Sequence, residues 1–347
     1  MSMRTAGRRR PGRQRRVYTV LGILACILAV WFAGYSAELY NEKKLAEARG
    51  PMEFAGWEGD GGDGIIEYDG ITYERDPSIR AILLIGVDSS GEMEEKVTGD
   101  GGQADALFVA AHDVARNTVK ILMIPRDTMT PITMTDLSGN VLGKAEQHIN
   151  LAYGYGDGRE LSCQYQSEAV SELLYGLSID GYMAVNTSMI GTLNDLVGGV
   201  TVTVQVDGME KRDPALKKGE TVTLTGEQAE IFVRYRDINK DNSAITRMSQ
   251  QKQYMEAYYD TLRRQAAKDD QTVPRIMDAI EGNMVTDMGK DRYMKMALDL
   301  VGSDAGLSGE DILTLPGEAV VGEFFDEYHY DPEGTLRTVL GLFYREA

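Results

Sequence analysis

Cysteine is scarce in this chain, with two residues in 347. Cys26 falls inside an apolar stretch near the N-terminus. Cys163 is therefore alone in the rest, and a disulfide within a folded domain is excluded. Only three histidines occur, His112, His148 and His329, and they are far apart. No CxxC, HExxH or other zinc-ligand spacing is present, so neither a structural zinc nor a zinc hydrolase is expected. No internal repeat is visible, which argues against a solenoid or propeller. Positive charge is also short. The formal net charge is −18, and seven arginines are concentrated in residues 1–16 (Arg4, Arg8, Arg9, Arg10, Arg13, Arg15, Arg16) with no acid among them. Without those seven charges the remainder stands at −25. So acidic a body is a poor partner for nucleic acid.

What is present begins with an uncharged run of 19 residues, 17–35, reading VYTVLGILACILAVWFAGY. At about 1.5 Å per residue, such a helix is close to the ~30 Å of a bilayer's hydrocarbon core. A basic block precedes it and an acidic region follows. The positive-inside bias then puts residues 1–16 in the cytoplasm and the bulk of the chain outside, on a single transmembrane helix. Tyr18, Trp31 and Tyr35 lie near the ends, where aromatic rings favour the interface. A cleaved signal peptide is the competing reading. The run is long for that role, and its exit, FAGYSAE, would place Tyr35 at the −3 position.

Length and a 43% apolar content allow one large domain or two small ones with a real core. Residues 36–79 read as a stalk: a helical start, a Gly/Asp-rich link, then a small hairpin turning at Asp69 and Gly70. From residue 80 three nearly continuous apolar runs follow, at 81–88, 105–113 and 118–128. Runs of this kind suit strands buried on both faces. Helical spacing appears at 159–175, 187–197, 224–236, 243–266, 274–282, 291–302 and 332–345, and further strands at 198–206 and 311–317. Thr225 with Gln228 forms a capping box for the 224–236 helix. Residues 243–266 read as a long polar helix. Strands alternating with helices define an α/β fold with a central mixed sheet flanked by helices. Tyr328, His329 and Tyr330 read as a loop beside the last helix.

Three features carry chemistry. Asp88 ends the first apolar run and Asp105 begins the second. If the two strands are antiparallel neighbours, both carboxylates meet at one sheet edge, where a cation relieves their repulsion. Mg²⁺ fits, since it takes one or two carboxylates with phosphate oxygens and water. Taken alone, carboxylates at such places are more often solvated turn residues. Second, Arg126 and Asp127 follow the third run directly, and the arginine fork suits a phosphate, with a local salt bridge as the plainer alternative. Third, Arg234, Arg236 and Arg247 cluster in an otherwise acidic region, followed by Gln250 and Gln251. Arg234 and Arg236 cannot share one face of a regular helix and fit its exit. Arg247 and Gln251 are four apart and share one. The set can cradle a diphosphate, or form a solvated, salt-bridged helix pair.

The ordered series GVDSS, AD before a strand, PRDT, DLVGGVTVTV and LTGEQAEIFVRYR…D…R…QQ, from about residue 80 to 260, resembles the LytR-CpsA-Psr family. The resemblance implies a phosphotransferase. Such a protein moves a glycopolymer from an undecaprenyl-pyrophosphate carrier to a peptidoglycan acceptor with Mg²⁺, in cell wall biogenesis. By position, Asp88 and Asp105 become the metal- or pyrophosphate-proximal acids. Arg126, Arg234, Arg236 and Arg247 become the phosphate clamp, and Gln251 takes the family's glutamine position. The helices at 159–175 and 187–197 are expected to line a tunnel for the polyprenyl tail. Two places depart from the family pattern: Gln103-Ala104-Asp105 replaces RSD, and Gln250–Gln251 replaces RQ. Each lost charged hydrogen bond in a desolvated site costs roughly 1.5–3 kcal/mol. A noncatalytic polyprenyl-phosphate receptor, or a pyrophosphate hydrolase on the same site, are the competing functions.

The anchor reading has a direct check. The full chain should pellet with membranes and resist carbonate extraction, while a chain starting at residue 36 should stay in the supernatant. Release of the full chain by carbonate would remove the anchor.

Overall fold

The computed structural model describes residues 57–58, 65–89, 92–136, 138–237, 243–303, 306–322 and 326–347. The expected span at 17–35 lies outside the described residues. Among those described, no helix is long and apolar enough to cross a membrane.

The centre is a six-stranded mixed sheet. Its strands are β1 (Ile79–Val87), β2 (Ala104–Asp113), β3 (Thr118–Ile124), β4 (Gly181–Asn186), β5 (Met284–Thr286) and β6 (Ile312–Thr314), arranged β5-β4-β1-β2-β3-β6. β1, β2 and β3 form an antiparallel meander, while β4 joins β1 and β6 joins β3 in parallel. The continuous apolar runs have the cause expected of them, because both faces of the sheet are covered. Ala81, Leu83, Ile85 and Val87 of β1 pack on one side, where helices α1 (Glu160–Leu173) and α7 (Pro332–Phe343) supply Val170, Leu173, Val339 and Phe343. Ile82 and Leu84 face the other side, toward Met248 and Met255 of α4 (Ser243–Ala266) and Tyr293 of α6 (Lys290–Gly302).

A second, smaller core lies beside the sheet. Phe232 of α3 (Gly226–Arg234), Val200, Val202 and Leu224 form it, with Tyr254 of α4 and Ile276 of α5 (Thr272–Ile280). Leu193 of the short helix α2 (Ile190–Leu196) packs against it. Helix α4 thus touches both cores, and the space between them is the site described below.

Several expectations hold in detail. The hairpin Ile65–Tyr68 and Ile71–Arg75 turns at Asp69 and Gly70, both at positive φ (54° and 76°), the pair of angles a tight two-residue turn demands. Thr225 caps α3 with the complete capping box: its hydroxyl accepts from the Gln228 N–H, and its own N–H donates to Gln228 Oε1. Other expectations do not hold. Tyr328, His329 and Tyr330 are not a loop: they lie in strand Asp326–Tyr330, paired with Gly317–Val321. Tyr328 is buried, donates its hydroxyl to Leu315 O at 2.6 Å, and has its phenol pushed up to about 12 by burial. The 198–206 strand shrinks to Thr201–Thr203. The hairpin Met129–Thr135 with Val141–His148 has no counterpart in the expected elements, because its second strand is largely exposed and polar and gives no apolar rhythm.

Thr225→Ala removes one arm of the capping box from an exposed position. It should lower the unfolding free energy by about 1 kcal/mol in a urea titration. A change below a few tenths would mean that α3 is held by its core face alone.

Candidate functional site

At one end of the sheet the β1–β2 pairing slips. Gly86 opposes Ala106 and Val87 opposes Ala104, so Asp105 is the extra residue of a β-bulge. A bulge re-aims the side chain it inserts. Asp105 accepts a hydrogen bond from Arg126 Nη1, at the exit of β3. Arg126 Nε also lies 3.3 Å from Asp127. Asp88, just past β1, has its backbone N–H on Gln103 O and its side chain on Arg234 Nη2. The two carboxylates therefore sit at the same sheet edge, each beside its own arginine. In both, the second oxygen has no hydrogen bond among the described residues.

Helix α3 supplies Arg234 as its last residue. Tyr235 then leaves the helix with φ −60° and ψ 127°, and Arg236 follows outside the helix. Arg236 is thereby directed elsewhere, to Asp326 at 2.7 Å. Arg247 and Gln251, one turn apart on α4, both line the cavity where Asp105 and Arg234 stand. Arg247 differs from its neighbours in having no hydrogen bond or ion pair among the described residues, and its Nε is buried without a partner. Burial, reinforced by Arg126 and Arg236, holds its guanidinium below the ordinary arginine range, while Asp105 and Asp127 oppose that shift. Arginine stays protonated even so. The result is a half-buried positive charge waiting for an anion.

Behind this cluster runs a cavity of about 450 Å³, within the usual range of ligand sites. Its walls are mainly apolar: Ala106 and Phe108 of β2, Val185 of β4, Ile190 and Leu193 of α2, and Tyr254, Met255 and Tyr258 of α4. Gly86 forms part of the floor, where a Cβ would stand 3.0 Å from Ala106 Cβ and 3.3 Å from Thr187 Cγ2. The expected tunnel helices are half corrected. The 187–197 segment lines the cavity, but the 159–175 helix packs on the opposite face of the sheet. The missing wall is α4. Gln251, Tyr254 and Tyr258 recur at helical spacing, a stripe legible within a segment that otherwise reads as polar.

The two departures at glutamine separate here. Gln250 is 2% exposed and does not face the site. Its Nε2 donates to Phe232 O (2.9 Å) and Tyr235 O (3.2 Å), tying α4 to the end of α3. The expectation that it removes a phosphate contact therefore fails, because its side chain is a strut for the segment that carries Arg234 and Arg236. Gln103 is exposed, and its Oε1 accepts from Asn150 Nδ2 at 3.3 Å. It lies in a second cleft, of about 600 Å³, shared with Arg126, His148, Asn150 and Arg236. Among the described residues no group of three or more His, Cys, Asp or Glu is placed to hold a metal ion.

Fold and site together define an α/β protein with an apolar cavity opening on a cluster of arginines and carboxylates. The LytR_cpsA_psr family model matches residues 69–332, and the chain belongs to that family. The match is wider at both ends than the run of motifs in the sequence. A polyisoprenyl-teichoic acid–peptidoglycan teichoic acid transferase, TagU of Bacillus cereus (strain AH820), is 26% identical over 324 residues, covering 92% of this chain and 94% of the relative. TagV of Bacillus subtilis (strain 168), with the same descriptive name, is 28% identical over 263 residues, 74% of this chain. That match spans 61% of the TagV relative's length. Among solved structures, protein gbs0355 from Streptococcus agalactiae superposes with a TM-score of 0.62 at 21% identity, covering 76% of this chain and 86% of that one. The B. subtilis TagV crystal structure gives 0.56 at 24%, covering 77% and 97%. These likenesses establish the fold.

Two substitutions separate strut from clamp. Gln250→Ala leaves two carbonyls without their donor and should lower the unfolding free energy by about 1–3 kcal/mol. Arg247→Met removes an uncompensated charge, so its urea midpoint should equal or exceed that of the parent chain. A clear loss of stability in the methionine variant would mean that Arg247 is paired in solution.

Proposed function

We propose that this chain is a phosphotransferase that moves a glycopolymer from an undecaprenyl-pyrophosphate carrier to peptidoglycan. The observation that carries this reading is Arg247: a half-buried guanidinium with no partner among the described residues, placed where an apolar cavity meets Arg126, Arg234 and Asp105. A polyprenyl diphosphate has the matching form, an apolar tail ending in clustered negative charge. Membership of a family whose members include named teichoic acid transferases supports the same reading.

In this mechanism part of the tail occupies the cavity against Phe108, Leu193 and Tyr258. Arg126, Arg234 and Arg247 hold the diphosphate, with Gln251 beside them. A hydroxyl of the acceptor sugar attacks the glycan-side phosphorus. The bond from that phosphorus to the bridging oxygen breaks, and undecaprenyl phosphate leaves with the bond's electron pair. The glycan remains joined to the acceptor through a phosphodiester. The guanidiniums stabilise charge that grows on the bridging oxygen, the main electrostatic requirement of such a step. Asp105 or Asp88 takes the proton of the attacking hydroxyl. The free oxygens of these two carboxylates also fit Mg²⁺, which they would hold together with phosphate oxygens. Bound there, it supplies further neutralisation of the diphosphate. The N-terminal apolar run would keep the site beside the bilayer that supplies the carrier, with the bulk of the chain outside the cell membrane.

The test is turnover of a pyrophosphate-linked polyprenyl glycan by the chain from residue 36, with and without Mg²⁺ and with and without a peptidoglycan acceptor. Acceptor-dependent release of polyprenyl phosphate is the expected result, with Arg247→Ala and Arg126→Ala each lowering kcat/KM by about 10²–10³. Equal release in the absence of acceptor would make the protein a hydrolase. Tight binding with no release would make it a receptor.

A further inference from the structure

Sulfur is unevenly placed in this fold. Nine of the chain's seventeen methionines pack on the sheet face that carries the cavity. The core on the opposite face holds Met93, and the smaller core Met209. Branched side chains would fill that face more rigidly. Thioethers fill it with deformable groups that oxidation can change. The thiol is shut away from such chemistry. Cys163, the one cysteine among the described residues, is fully buried, and burial pushes its thiol well above the ordinary range, so it offers little thiolate to an oxidant.

One methionine of this face stands in the site itself. Met255 of α4 is partly exposed and forms part of the cavity wall, one helical turn from Gln251. Arg247 lies a further turn up the same side of the helix, at the mouth of the cavity. Met123 and Met288, by contrast, are 2% and 4% exposed and sit within the core. No other methionine of this face lines the cavity.

Oxygen transfer to that sulfur changes the character of the cavity. Hydrogen peroxide gives one oxygen atom to the Met255 thioether: an S–O bond forms, the O–O bond breaks, sulfur is oxidised to the sulfoxide, and the peroxide is reduced to water. The new oxygen is an acceptor on a side chain whose companions in the wall, Phe108, Val185 and Leu193, offer no donor. An apolar chain laid against it buries an unpaired dipole. If water enters to satisfy the oxygen, the apolar contact is lost instead. In both cases hydrocarbon is held less well, while the arginines at the mouth are untouched.

We propose that Met255 is an oxidative modification site, and that its conversion to the sulfoxide lowers the affinity of the cavity for an apolar chain. The change is reversible, because methionine sulfoxide reductases restore the thioether. The inference gives the proposed donor site a redox sensitivity. It rests on the transferase reading for the identity of the bound chain, and on Met255 and the cavity for the effect.

Two probes test it. The full chain in lipid nanodiscs, with empty nanodiscs as the blank, is titrated with farnesol, which has only the apolar tail, and with farnesyl diphosphate, which adds the charged head. Both titrations are repeated after exposure to hydrogen peroxide, and peptide mass spectrometry reads the sulfoxide at each methionine. Both Kd values should rise roughly tenfold or more, in step with sulfoxide at Met255, and recover after treatment with methionine sulfoxide reductases. In Met255→Leu, measured against its own unexposed sample, the same treatment should leave each Kd nearly where it was. An equal rise in the leucine variant would overturn the proposal. So would full sulfoxide at Met255 with unchanged Kd values, or conversion of other methionines with Met255 spared. Farnesyl diphosphate that binds no better than farnesol would sink the donor reading, and the farnesol series would still decide the role of Met255. Farnesol that fails to bind the unexposed chain would overturn both.

Discussion

Arg126, Arg234 and Arg247 are gathered at the mouth of an apolar cavity, and like charges so placed repel. Two of the three are compensated in place, Arg126 by Asp105 and Arg234 by Asp88. The third has no such partner, and burial with the nearby arginines makes its charge harder to hold. Everything that sets this balance is backbone geometry. The bulge turns Asp105 toward Arg126, the end of α3 presents Arg234, and Gln250 fixes that end against α4. A register without the bulge would turn the Asp105 side chain to the other face of the sheet. Arg126 would then keep only Asp127, 3.3 Å from its Nε, and would stand less compensated beside the unpaired Arg247. The bulge is thus a requirement of the charge cluster rather than an irregularity of the sheet.

The sheet was legible because its signal is strong. Residues 81–88, 105–113 and 118–124 are apolar on both faces, and burial on both faces is the reason. The capping box at Thr225 and the Asp69–Gly70 turn were legible because each is a local interaction that needs no tertiary context. The Met129–His148 hairpin was not. Its second strand, VLGKAEQH, is exposed along most of its length, so no alternation marks it. Strand Asp326–Tyr330 was missed for a different reason. Tyr328 is buried there by pairing with Ala319 of the preceding strand and by a hydrogen bond to Leu315, and a sequence pattern of mixed acids and tyrosines carries no trace of either.

For the site, most of the charged residues singled out in the sequence gather at one sheet edge, while of the apolar wall only the 187–197 segment was expected. Asp88, Asp105, Arg126, Arg234, Arg247 and Gln251 could be singled out because charged residues at the ends of apolar strands, or clustered in an acidic chain, are unusual. The cavity wall is made by ordinary residues such as Phe108, Leu193 and Tyr258, whose meaning depends on two cores failing to meet across α4. Gln250 shows the opposite error. Its position beside Gln251 suggested a lost phosphate contact, yet adjacent residues on a helix point about 100° apart. One faces the cavity and the other the carbonyls of Phe232 and Tyr235.

The same geometry gives direction to the proposed chemistry. Arg126 lines the polar cleft and also a small recess that shares Asp105, Arg247 and Gln251 with the apolar cavity, and its charge is directed to Asp105 and Asp127. A diphosphate held there has its tail on one side and water-accessible polar groups on the other. The tail side is lined mainly by apolar side chains, which favours departure of a phosphate that stays with its lipid. Gln103 lines the cleft with Arg126 and Arg236, whereas Arg234 and Arg247 line the cavity, so a neutral amide at 103 alters the cleft and leaves the cavity-side arginines in place.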